Sequence, residues 1–269
     1  MNGIDQHARG LTPSKSVHVV TSHTPGALMP DPADIRNSQW KKLPDILNSV
    51  TLARFDQDKC TSRYGINSRA MCFGLSLSWN SMIHGGKKHP TPYSATERMR
   101  ELSSFEGVVN ARTLHNYYQS EHKFLLQNIP EEEDMASRLM AGTNSLLQTA
   151  ELKGLHLTPT LEDKTNEGLP FLIVCKSEGR YRSVDQEALK RVSTSLEKSR
   201  QGVLTIYSDE QAHALGFCVS EHEKSTILFD PNLGEFCCDS KSLPKAIEAL
   251  ADTNHLPLIG VQVFASRPR

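Results

Sequence analysis

The sequence predicts an α+β fold in which a helical first half packs on a C-terminal antiparallel sheet. Three observations carry this. Between residues 72 and 153 apolar side chains recur at helical spacing, with capping and stop signals at the segment ends. From residue 169 onward short apolar runs, bounded by Ser, Asp, Glu and Gly, follow one another closely enough to be joined as hairpins. The two patterns are segregated along the chain, whereas a doubly wound sheet alternates strand and helix.

Taken in order, residues 1 to about 45 carry Pro13, Pro25, Pro30, Pro32 and Pro44 among scattered Ser and Thr and show no sustained period. They read as a flexible arm, with the folded chain expected from about residue 60. Cys72 to His84 sets Cys72, Leu75, Trp79, Met82 and Ile83 near a 3.6-residue period, and Gly85-Gly86 stops it. Ser94 and Glu97 are in capping-box register for a helix through about Ser104. A further helix is expected over 110–128. Pro130 and the acids Glu131, Glu132, Glu133 and Asp134 suit the positive end of a long helix to about Lys153, with Gly154 beyond it. Leu169 to Lys176 reads as a buried strand. Ser183 to Arg200 reads as a helix, with Ser183 and Gln186 as its capping box. Strands are expected at Gly202–Tyr207, Ala212–Ser220, Ser225–Asp230 and Glu235–Cys238, then a helix at Leu243–Ala251 and a strand at Leu258–Ala265.

Composition narrows the function. The 30 Lys and Arg balance 31 Asp and Glu, leaving a net charge of -1. A nucleic-acid face needs a surplus of cations, so nucleic acid is not an expected partner. No apolar run approaches the roughly 20 residues of a spanning helix, and the N-terminus has no signal-peptide core. The six cysteines contain no C-x-x-C and suit a reducing compartment. The 11 histidines contain no H-E-x-x-H, so neither a metal nor a cofactor is expected.

Three segments carry chemistry-bearing residues. Cys72 stands at the expected start of a helix, where unpaired N–H groups stabilise a thiolate. His213 heads a strand between Ala212 and Ala214, neighbours small enough to let a second group reach the imidazole. Asp230 ends an apolar strand before the turn Pro231-Asn232-Leu233-Gly234. The order Cys, His, Asp matches a nucleophile, a general base and an orienting acid.

In Cys72-x-Gly74-Leu75-Ser76-x-x-Trp79, in Ala212-His213-Ala214 and in Phe229-Asp230-Pro231-Asn232-Leu233-Gly234-Glu235-Phe236, the sequence resembles the YopT/AvrPphB family of type III secreted cysteine proteases. The resemblance covers roughly residues 60 to 269 and implies a papain-like fold with Cys72 as nucleophile, His213 as base and Asp230 as orienting acid. It further implies that Asn67, five residues before Cys72, completes the oxyanion hole with the nucleophile's own N–H. Residues 1–59 would be a secretion and translocation arm, removable as a propeptide, and 60–269 the catalytic domain. Some relatives cut themselves after an Asp-Lys pair, and Asp58-Lys59-Cys60 is similar, which would place self-cleavage between Lys59 and Cys60. Because Cys60 follows, S-acylation and weak membrane association would replace N-myristoylation. The implied protein is a monomer, delivered by type III secretion to the host cytosol or the inner face of a host membrane, that cleaves a host protein. A glutamine deamidase using the same triad, or a binding protein on an inactive scaffold, stays open from the residues alone.

Overall fold

A computed structural model describes residues 49–67, 71–85, 92–130, 135–161, 169–178, 181–208, 211–220 and 224–268. The expected arm up to residue 48, the acids Glu131 to Asp134 and Gly86 lie outside the described residues.

Folded structure begins before residue 60. Strand β1 (Ser49–Arg54) and helix α1 (Gln57–Ser62) precede it. The expected boundary at 59/60 is corrected on this point: β1 pairs with strand β9 (Gly234–Asp239), and the Phe55 N–H bonds the Leu233 carbonyl at 3.2 Å. The mainly polar composition of this stretch suits an edge strand, which buries one face only.

The helical half follows as α2 (Cys72–Gly85), α3 (Pro92–Leu102), α4 (Phe105–Gln127) and α5 (Met135–Glu151). Two starts differ from expectation. Helix α3 begins at Pro92, whose fixed φ suits a first turn, so Ser94 lies inside the helix instead of capping it. Helix α4 begins five residues before position 110, because the Ser104 side chain accepts from the Gly107 N–H at 3.0 Å.

The sheet follows the order β1-β9-β8-β7-β6-β10-β2, formed with β2 (Leu155–Pro159), β6 (Gln201–Tyr207), β7 (Ala212–Ser220), β8 (Ser225–Asp230) and β10 (Gly260–Pro268). Its ladders are antiparallel. The sequence reading missed β2, although Leu155 and Leu157 alternate with exposed His156 and Thr158. The expected single strand at 169–176 is divided. β3 (Leu172–Ile173) joins β10, while β4 (Cys175–Glu178) turns away to pair with β5 (Tyr181–Val184). Between them Val174 donates to Ile259 and accepts from Asp185, which ends the first pairing. Ser183 belongs to β5, and Asp185 caps helix α6 (Gln186–Ser199) instead, accepting from the Glu187 N–H at 3.1 Å.

Strand alternation divides the core into two sides. Leu204, Leu215, Phe217, Leu228 and Val263 pack with Leu189, Val192 and Leu196 of α6 and with Ile247 and Leu250 of α7 (Leu243–Thr253). Val203, Ala214 and Phe264 face the other way, toward Cys72, Phe73 and Leu77 of α2 and Leu114 of α4. Two glycines let α2 press into place. A Cβ on Gly74 would stand 2.1 Å from the Ala111 carbonyl oxygen of α4, and one on Gly216 would stand 2.5 Å from the Trp79 ring.

Candidate active site

The site forms where β7 outruns β8. The β7–β8 ladder stops at Gly216 opposite Phe229, whereas β7 stays paired with β6 as far as Ala212 opposite Tyr207. The segment 212–215 is thus held on one side only. The N-terminus of α2 enters the opening beside it, and the Ser76 hydroxyl donates to the Ala214 carbonyl at 3.0 Å. Cys72 opens α2 and contacts His213 through its thiol. His213 Nε2 lies 3.1 Å from Asp230 Oδ1, so the other ring nitrogen is left for Cys72. The three side chains predicted from sequence come together. All are buried, Asp230 fully.

Asp230 is fixed by two further donors. The Asn232 N–H donates to Oδ1 at 2.7 Å, the Asx turn that Asp-Pro-Asn favours. Asn254, just past the end of α7, donates from Nδ2 to Oδ2 at 2.7 Å. Its amide orientation is set from both sides: Oδ1 accepts from Asn232 Nδ2 at 2.6 Å, and Nδ2 also reaches the Leu250 carbonyl at 2.8 Å. Sequence reasoning missed Asn254. Its one signal, an Asn at a helix C-terminus, is too common to point at a site.

Electrostatics prepare an ion pair. Burial alone would push the Cys72 thiol up. The hydrogen bond and positive charge of His213, with the Ala214 and Phe73 backbone, outweigh it and hold the thiol below its ordinary range. Burial alone would keep His213 neutral, but the Asp230 carboxylate and the Cys72 thiolate push it up to about 10. Both directions favour thiolate and imidazolium at neutral pH. Tyr118 and Tyr207 lie within electrostatic reach of Cys72. The Tyr118 ring lies 5.6 Å from that of Phe73, and its hydroxyl is raised by burial and then by the charge of Cys72. Tyr207 stacks edge-on against Phe171 at 5.3 Å and donates to Gln262.

A prediction follows from these shifts. Iodoacetamide should modify Cys72 at pH 6 far faster than Cys218 and Cys238, whose thiols burial pushes up to about 11 and about 12. His213→Ala should move the Cys72 inflection upward, because both the hydrogen bond and the positive charge are lost. Site-resolved mass spectrometry across pH 5–10 reads this; a wild-type rate that first climbs above pH 8 would contradict the ion pair.

The other sequence-derived positions are Asn67, Lys59 and Cys60. Asn67 is exposed and its backbone carbonyl accepts from Arg112 at 3.2 Å. Lys59 and Cys60 lie inside α1, where the Lys59 N–H bonds Asp56 at 3.0 Å and the Gln57 N–H bonds Pro231 at 3.0 Å. A papain-like cleft takes its substrate extended, so cutting between Lys59 and Cys60 requires α1 to unwind. Cys60 is half-buried, and burial raises its thiol, which works against acylation. Two cavities of about 750 Å³ exist among the described residues and neither contains a triad member. One lies behind the Asp230 turn, against Asn232 and Leu233; the other lies between α6 and β2. The thiol–imidazole–carboxylate contact, not cavity size, locates the chemistry.

The family model described as Yersinia/Haemophilus virulence surface antigen matches residues 49–259, starting where β1 starts. The chain is 59% identical over 239 residues to AvrPpiC2 of Pseudomonas syringae pv. pisi, described as a probable cysteine protease avirulence protein. The alignment covers 89% of each chain. The crystal structure of the Pseudomonas avirulence protein AvrPphB superposes with a TM-score of 0.56 at 23% identity, covering 84% of this chain and 99% of that one. That likeness establishes the shared fold.

Proposed function

The chain belongs to the family described as Yersinia/Haemophilus virulence surface antigen and is a cysteine protease, and from that premise we propose that it is an effector endopeptidase, exported by type III secretion, that cuts a specific protein inside a host cell. The observation that carries the reading is the buried contact of Cys72, His213 and Asp230 at the start of a helix.

Each residue has one task. The Cys72 thiolate attacks the scissile carbonyl carbon, and the carbonyl π electrons move to oxygen. The backbone N–H of Cys72 and the Asn67 side chain receive that oxyanion, at a site where one such donor contributes about 3–4 kcal/mol. The imidazolium of His213 passes its proton to the departing amine, leaving an acyl-enzyme. Neutral His213 then takes a proton from water, hydroxide attacks the thioester, and the thiolate returns. Asp230 holds the ring in register throughout and stabilises its cationic form. The segment before β1 serves as the export signal, and the host cytosol is the working compartment.

The test is a comparison of host-cell lysates incubated with wild type or with Cys72→Ala, scored by N-terminal proteomics. New N-termini confined to a few proteins, and absent with the variant, are expected. Glutamine residues gaining 1 Da without new termini would replace the protease by a deamidase. Identical lysates would refute both.

A further inference from the structure

The second cavity stands apart from Cys72, His213 and Asp230. It is a groove of about 750 Å³ between α6 and the end of the sheet formed by β2 and β10. Its floor is small and hydroxyl-rich. Thr158 faces the groove from β2, opposite Ala265 of β10, and beyond it Thr160 Oγ1 lies 2.7 Å from Ser195 Oγ and accepts from Ser199 Oγ at 3.2 Å. Its rim is cationic. Lys190, Arg191 and Lys198 project from α6 and Arg267 from β10, all exposed. The carboxylate on the lining is Glu187, already bound to Lys190 at 2.6 Å. Among the described residues that line the groove, positive charges exceed negative ones by three, on a chain whose net charge is -1.

We infer that this groove docks an extended acidic segment of a partner protein. Charge complementarity selects the sign. Shape selects the class: a bilayer is too flat to enter between a helix and a strand, whereas the Asp and Glu side chains of an extended segment fit between the Lys and Arg side chains of the rim, over hydroxyls already bonded within the protein. Among the described residues β2 ends the ladder order, so no further described strand pairs with its outer edge, which runs alongside the groove and suits main-chain hydrogen bonds to an extended peptide. The groove shares no residue with the triad and lies on the opposite face of the sheet from Cys72. Along β10 the two are separated by the five residue steps from Gly260 to Ala265, roughly 17 Å at strand rise. The inference therefore does not depend on the role assigned to Cys72. It describes a contact made away from the scissile bond, of the kind that raises encounter rate and selects partners.

The test uses full-length Cys72→Ala protein and a fluorescein-labelled ten-residue peptide of alternating Glu and Ser, read by anisotropy. Saturable binding that weakens as salt rises from 50 to 300 mM is expected. The double reversal Lys198→Glu/Arg267→Glu should weaken it at least tenfold. The reversal Lys241→Glu/Lys245→Glu, outside the groove, should leave it within twofold. In a wild-type background both double variants should keep the Cys72 alkylation rate, which certifies the fold. Absence of saturable binding, or equal weakening by both reversals, overturns the inference. So does a protein that ignores the peptide but sediments with phosphatidylserine vesicles or retains a single-stranded oligothymidylate.

Discussion

Cys72→Ala and His213→Ala should each abolish proteolysis, with losses on the order of 10⁶-fold in kcat/KM, the size seen when the nucleophile or base of a triad is removed. Asp230→Ala should cost less, on the order of 10⁴-fold, since it orients and stabilises the ring without reacting. Asn254→Leu, which removes the donor to Asp230 Oδ2 at 2.7 Å, should cost less again while leaving KM unchanged. The gradient follows distance from the reacting atoms: thiol, imidazole, carboxylate, amide. It is checked by progress curves on a substrate drawn from the lysate screen, with circular dichroism to show that each variant is folded. Equal losses in all four would indicate collapse of the site. Full activity in Cys72→Ala would end the enzymatic assignment of this residue.

The largest stability effect is expected at Glu235. This carboxylate is fully buried and receives three donors: Trp79 Nε1 at 2.6 Å, Arg98 Nε at 2.7 Å and Arg98 Nη2 at 2.7 Å. Arg98→Ala strands the carboxylate without its counter-charge, and breaking a buried pair in this way costs about 3–5 kcal/mol. The urea midpoint should fall accordingly. Adding Glu235→Gln to Arg98→Ala should recover part of the loss, because the uncompensated charge is gone. An unchanged midpoint in Arg98→Ala would show that solvent reaches the carboxylate.

That cluster also explains why two of the sequence motifs look as they do. Trp79 closes the nucleophile motif and Glu235 lies within the aspartate motif, yet they are bonded to each other across 156 positions and neither touches substrate chemistry. They clamp the helix bearing Cys72 to the strand following Asp230. Gly74 likewise serves close packing of α2 on α4, not the thiol.

Much of the architecture was readable because two periods, 3.6 and 2, occupy separate halves of the chain. Strand β7 spans Ala212–Ser220 and β8 spans Ser225–Asp230, as their apolar runs predict. What failed were features decided by partners far away in sequence. β1 and β2 are edge strands with only half a hydrophobic pattern, and each takes its identity from pairing with β9 or β10. The helix start at Asp185 was hidden by the competing capping box of Ser183 and Gln186, and the start at Ser104 by its being read as the end of the preceding helix. The triad was legible as an order of residue types. Asn254 was not, because only the return of α7 brings it to Asp230, 24 positions away.

The attachment of β1 has a mechanical consequence. Its ladder starts at Ser49 opposite Cys238 and runs inward to Arg54 opposite Gly234. Tension on the N-terminal end loads these pairs one after another, so the strand peels rather than shears. The next bonds to take the strain are Phe55 to Leu233 and Gln57 to Pro231, both on the turn that carries Asp230. A chain drawn out by its leading end therefore loses the support of its Asp230 turn before its core gives way. On refolding, the same turn regains that support only after the edge strand has zipped back.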